Sequence, residues 1–158
     1  MQLSEAGSAM LMELEGDRGT MYLDPVGIPT VGVGHRLTLS ELHSGKIHLG
    51  PVMLPWGEGL SPLAVEALLA HDTAGVAAAL TALVKVPLSQ PQFDALVSWA
   101  FNVGLEAAEH STLLKRLNRG EYAAVPHELR RWVYAKGERL PVLEARRETE
   151  IRRWEATV

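Results

Sequence analysis

The sequence predicts an α+β fold, mostly α, with a small N-terminal hairpin or sheet, one connecting helix and a C-terminal helical bundle. Three observations carry that expectation. Helical periodicity breaks between Thr20 and Val33, where short β-prone pieces alternate with Asp24-Pro25 and glycines at 27, 32 and 34. Ser61-Pro62 is a cap followed by proline, and it opens an apolar helical pattern reaching about Val84. Beyond Pro87, glycines 104, 120 and 137 and Pro141 punctuate successive helical segments.

Residues 3–14 read as the first helix, with Ser4 as cap, Ala6, Met10, Leu11 and Leu14 as its apolar face, and Gly16 as its stop. Glu15 then falls at the C-terminal edge. Residues 37–59 have weak periodicity and hold Gly45, Gly50, Pro51, Pro55, Gly57 and Gly59. They read as a loop with one short helix near 39–43, in the manner of a lid or binding loop, with Trp56 its most consequential residue. Gly75 is a candidate bend in the connecting helix. Later helices are expected at 90–103, 111–118, 125–135 and 141–156. The organisation expected is one domain over 1–158, with a first lobe to about 60, a connector over 61–84 and a helical lobe from 85.

With 47% hydrophobic and 22% charged residues, the chain can bury a core, and general disorder is excluded. Cysteine is absent, so thiolate chemistry and disulfides are excluded too. The N-terminus lacks a basic leader followed by an apolar run, and no stretch reads as long enough to span a membrane. The expectation is a chain without its own export signal and without membrane insertion.

Net charge is −4 and uneven: residues 1–114 carry −8 and residues 115–158 carry +4. A basic C-terminal third suits either an anionic polymer or a set of solvated helix faces. Overall acidity argues against nucleic acid as a partner. Among the six histidines, His43 and His48 lack a clear third ligand, so no metal site is expected.

The chemistry sits in Leu14-Glu15-Gly16-Asp17-Arg18 and in the run from Tyr22 to His35. Cleaving a glycosidic bond takes two carboxylates in different surroundings, one kept protonated and one ionised. At a helix C-terminus the dipole disfavours a second negative charge, which suits Glu15 to the protonated role. Asp24 lies in a turn where backbone N–H groups can hold it ionised, and the Thr30 hydroxyl both donates and accepts. Glu13 and Asp17 compete as acids, but Glu13 points to another side of the helix and Asp17 lies past its end.

Order and spacing here resemble the phage-type lysozymes, the endolysin muramidases (glycoside hydrolase family 24). In that family a Glu is followed nine positions later by an Asp and six beyond that by a Thr, as Glu15, Asp24 and Thr30 are. The similarity extends through Gly32-Val33-Gly34-His35, the run from Gln92 to Gly104, Ser111-Thr112-Leu113-Leu114, Arg131-Trp132-Val133-Tyr134 and Arg146-Arg147.

This resemblance implies a two-lobed lysozyme fold with a cleft between the lobes. It implies an inverting hydrolysis of the β-1,4 bond between N-acetylmuramic acid and N-acetylglucosamine in bacterial peptidoglycan, without a cofactor. Glu15 would be the general acid, and Asp24 and Thr30 would orient the attacking water. Arg36 and Phe101 would lie near the saccharide. His35 would pair with Asp72 and tie the lobes together, and Arg146 or Arg147 would orient Glu15. A monomer is implied, accumulating in the host cytoplasm and released through a holin, with delivery on a virion as the other route. Two alternatives stand beside this reading: a lytic transglycosylase on the same bond, and a non-catalytic wall-binding or structural virion protein. Trp99, Trp132 and Trp154 recur within helices and read as core rather than as sugar platforms.

Overall fold

Helix α1 (Glu5–Glu15) begins at a serine cap and ends at a glycine. Ser4 Oγ accepts the Gly7 N–H at 3.0 Å, satisfying one of the free donors of the first turn. Gly16 adopts φ +77° and donates its N–H to Met12 O at 3.0 Å. A side chain is strained in that left-handed conformation, so Glu15 is fixed as the last helical residue. The computed structural model describes residues 1–16 and 18–157. They fall into two units, Ala9–Thr73 and Met1–Ser8 with Ala74–Val158.

In the first unit, β1 (Arg18–Leu23), β2 (Pro29–Gly32) and β3 (His35–Arg36) form an antiparallel sheet in sequence order. Tyr22 pairs with Thr30 and Thr30 with Arg36, so these three stand in one row across the sheet. The expected sheet is present. The segment after it corrects the expectation of a largely irregular lid. Helix α2 (Leu39–Ser44) is held by a reciprocal capping box between Thr38 and Glu41, and β4 (Lys46–Leu49) pairs with β5 (Val52–Pro55).

Ile47 faces Leu54 across that hairpin, and Leu49 faces Val52. Ile47 joins Val31, Leu37 and Leu68 in the core of this unit. The apolar residues alternate with period two on either side of Gly50-Pro51, a pattern that a search for helical spacing passes over. Trp56 is an anchor here, its Nε1–H donating to Glu41 O at 2.9 Å.

Helix α3 (Pro62–Leu83) starts as expected, with Ser61 Oγ accepting the Ala64 N–H at 3.2 Å. The helix has 22 residues, and an 18-residue window of it reaches a mean hydropathy of 1.4, long and apolar enough to cross a membrane by length and composition alone. This overturns the expectation that no stretch approaches such a length. Alanines before Val76 extend the apolar run beyond the segment that stands out on inspection. Core helices of water-soluble proteins meet the same criterion.

The second unit continues with α4 (Gln90–Val103), α5 (Leu105–Glu109), α6 (Thr112–Leu117), a 3-10 turn (Tyr122–Ala124) and α7 (Val125–Leu129). It ends with β6 (Tyr134–Ala135), β7 (Glu138–Arg139) and α8 (Pro141–Trp154). The helix expected over 125–135 stops at Leu129. Lys136 at φ +50° and Gly137 at φ +77° form a two-residue turn joining β6 to β7, a geometry that matches the twist of paired strands.

Leu80, Phe93, Leu96, Trp99, Leu113 and Ile151 form the core of this unit. Trp99 is fully buried and meets Trp132 edge-on at 5.6 Å, and Trp154 is also buried, so these tryptophans are core. Ser4 and Asp94 also meet here: Asp94 Oδ1 accepts the Ser4 N–H at 3.0 Å, and Arg153 pairs with its Oδ2. The cations of the C-terminal third are largely committed to neighbours. Arg116, Arg130, Arg131, Arg139, Arg146, Arg147 and Arg153 all sit in ion pairs within the chain, which favours solvated faces over a free basic surface.

Candidate active site

Glu15, Asp24, Thr30, His35, Arg36 and Asp72 all belong to the first unit, and Phe101, Arg146 and Arg147 to the second. Glu15 is half-buried at the end of α1, whereas Glu13 is exposed. Asp17, the other competing acid, lies outside the described residues. Tyr22 stands beside these candidate residues, paired with Thr30 across the sheet. Burial pushes its phenol up from the usual tyrosine range, and the charges of Glu15 and Asp24 push the same way. A backbone contact from Gly34 and the Arg18 guanidinium, 4.6 Å from the ring centre, oppose that rise. The sequence signal for this is its place in the strand, where alternation puts residue 22 on the face that Thr30 shares.

Asp24 closes the turn between β1 and β2. Its Oδ1 accepts the N–H groups of Val26 at 2.9 Å and Ile28 at 2.8 Å. Its own N–H donates to Ile28 O at 2.9 Å. Aspartate favours turns through such bonds, and two N–H donors stabilise the ionised carboxylate. Asp24 Oδ2 lies 3.0 Å from Arg36 Nε. Thr30 is buried, and its hydroxyl donates to Ile28 O at 2.9 Å. With its proton so committed, Thr30 Oγ1 is left with acceptor capacity only.

His35 does meet Asp72, Nδ1 to Oδ2 at 2.7 Å, and its Nε2 meets Glu41 Oε2 at 2.9 Å. Glu41 is a second partner that the sequence did not disclose. All three lie in the first unit, where the pairs join β3 to α3 and to the start of α2. Burial alone pushes the imidazole down, but hydrogen bonds and charge from Asp72 and Glu41 outweigh it and raise the pKa to about 8.

A folded pKa above the unfolded one gives stability that is complete below about pH 6.5 and lost as pH rises through about 8. The full shift corresponds to about 2 kcal/mol, an upper bound once partial exposure is allowed for. Chemical denaturation of the parent and His35→Asn at pH 6 and pH 9 should show their stability gap narrowing by up to that amount. Parallel pH curves would remove the pair from the account.

Phe101 is half-buried on α4 and packs against the helical core. Arg146 contacts Glu150 Oε1 at 3.1 Å and Ser98 O at 3.2 Å. Arg147 reaches Asn102 Oδ1 at 2.9 Å and Trp132 O at 3.3 Å, besides Glu150. Their partner Glu150, fully buried, is another residue that sequence inspection passed over. No group of three or more His, Asp or Glu among the described residues could hold a metal ion.

The chain is similar to known proteins over most of its length. The phage lysozyme family model matches residues 12–150. The endolysin of Salmonella phage P22 is 38% identical over 152 residues, 95% of each chain. An endolysin from Acyrthosiphon pisum secondary endosymbiont phage 1 is 37% identical over 154 residues, again 95% of each. The SAR-endolysin of Escherichia phage Mu is 37% identical over 91% of this chain and 75% of its own. Among solved structures, the muramidase domain of SpmX from Asticaccaulis excentricus superposes with a TM-score of 0.80 at 29% identity, covering 99% of both chains. A P22 lysozyme mutant superposes at 0.76 with 34% identity over 96% of this chain and 97% of its own.

Proposed function

Since the chain belongs to the phage lysozyme family and is a lysozyme-type hydrolase, we propose that its catalytic centre is Glu15 with Asp24 and Thr30. Glu15 delivers a proton to the leaving glycosidic oxygen. Asp24 and Thr30 accept hydrogen bonds from a water and turn a lone pair of its oxygen toward the anomeric carbon, and Asp24 takes the one proton released as the water adds. The observation that carries this reading is the division of labour at the β1–β2 turn. Two backbone N–H groups hold one Asp24 oxygen, and the Thr30 proton is spent on Ile28 O, so both side chains face a water as acceptors. Inversion is the stereochemical outcome this design favours, with the carboxyl groups roughly 6.5–9.5 Å apart to admit the water.

The substrate is the N-acetylmuramic acid–N-acetylglucosamine backbone of bacterial peptidoglycan, cut by one lysozyme domain acting as a monomer. In the cell, the protein collects in the host cytoplasm and reaches the wall through a holin-formed hole. Relatives named SAR-endolysins support a second route, with a membrane-held form later released. Fractionation of expressing cells separates the two, since an anchored form sediments with membranes. Family likeness supports a role for Arg36 and Phe101 along the saccharide.

Mass spectrometry of soluble fragments released from purified peptidoglycan tests the reaction. Muropeptides with free reducing N-acetylmuramic acid ends are expected. Anhydro ends would move the chemistry to transglycosylation, which needs Glu15 but not the water-holding pair. Folded protein that releases no fragments would turn the reading toward wall binding.

A further inference from the structure

The two oxygens of Asp24 stand in unequal surroundings. Oδ1 is saturated by the Val26 and Ile28 N–H groups. Oδ2 is therefore the oxygen left to take a water, yet it is shut off from solvent and has no aligned hydrogen bond among the described residues. What stands beside it is Arg36 Nε, at 3.0 Å. The strand register brings Arg36 there, because it pairs with Thr30 across β2 and β3 and its stem rises on the Thr30 side of the sheet.

This pair is lopsided. The Asp24 side chain is 9% exposed and that of Arg36 58%. Arg36 approaches with Nε alone, and its two terminal nitrogens have no partner among the described residues. A one-point ion pair whose cation lies largely in solvent is held weakly. A guanidinium that meets an oxygen-bearing group through two nitrogens at once is held better. Arg36 can therefore exchange Asp24 for another partner at small cost.

We propose that Arg36 is a positioning residue that acts through Asp24. It covers Oδ2 in the free enzyme, and it uncovers Oδ2 for the attacking water when its terminal nitrogens engage the wall polymer. This rests on the assignment of Asp24 to the water, and it adds a gate that the bound substrate opens.

Arg36→Met keeps the bulk of the stem and removes the charge, with Arg36→Gln as a second, more polar variant. Carbodiimide-driven coupling of an amine to exposed carboxyls, read by peptide mass spectrometry without substrate, should label Asp24 severalfold faster in both variants. On purified peptidoglycan, kcat should rise about two- to fivefold, the range a weak exposed pair permits, while KM also rises because a polymer contact is lost. A merely structural role would lower kcat and the melting temperature together. Unchanged Asp24 labelling in folded variants would overturn the proposal, as would faster labelling with unchanged or lower kcat. If parent and variants alike release no fragments, the hydrolase assignment fails, while the labelling still decides whether Arg36 covers Asp24.

Discussion

Glu15→Gln is expected to lower the rate of reducing-end release from peptidoglycan by about 10²–10⁴-fold, the range a general acid contributes. The leaving group is a sugar alkoxide, which departs poorly unless it is protonated as the bond breaks. Glutamine has the size and hydrogen-bonding reach of glutamate but no transferable proton. KM should therefore change little while kcat collapses, the pattern of an interaction made only in the transition state. The fold should survive, because the helix end is set by Gly16, whose N–H bonds Met12 O. Glu13→Gln is the matched control, two residues away on an exposed side of the helix. Initial rates within tenfold of the parent for Glu15→Gln would sink the assignment.

Local features of the fold could be read from the sequence because their causes are local. Ser4 before α1, Ser61-Pro62 before α3 and Gly104 after α4 act on the backbone within a turn of where they stand. The candidate triple of Glu15, Asp24 and Thr30 is legible as spacing, and the turn that holds Asp24 follows from Asp-Pro and Gly27. Less legible was anything set by alternation in short strands. The β4–β5 hairpin spreads its signal over eight residues on two strands and pins its register through Ile47 and Leu54. The β6–β7 hairpin depends on Lys136 in a left-handed conformation that lysine does not advertise. Contacts at long range were hidden altogether. Nothing near Arg36 in the sequence indicates that its guanidinium lies on Asp24, and Glu41 looks like a capping residue until the fold brings His35 to it.

The largest stability effect is expected at Glu150, where one fully buried carboxylate serves two arginines. Its Oε1 accepts from Ser98 Oγ at 2.7 Å, Arg146 Nε at 3.1 Å and an Arg147 terminal nitrogen at 3.0 Å. Its Oε2 lies 2.7 Å from Arg147 Nε. Arg147 is as buried as Glu150, and Arg146 nearly so. Glu150→Gln keeps the shape but removes the buried carboxylate charge that both guanidiniums share. Breaking a buried pair from one side costs about 3–5 kcal/mol, and in a chain of this size that is roughly 10 °C or more of melting temperature. The exposed Arg130–Glu148 pair, at 54% and 45%, is the internal contrast, since Glu148→Gln should cost no more than about 1 kcal/mol. Denaturation curves of both variants would decide the matter. A loss below about 1 kcal/mol for Glu150→Gln would mean that water or a neighbouring group takes up the freed arginine charges. In that case the joint between α4 and α8 rests on its apolar contacts, such as those of Trp99 and Ile151, rather than on this buried triad.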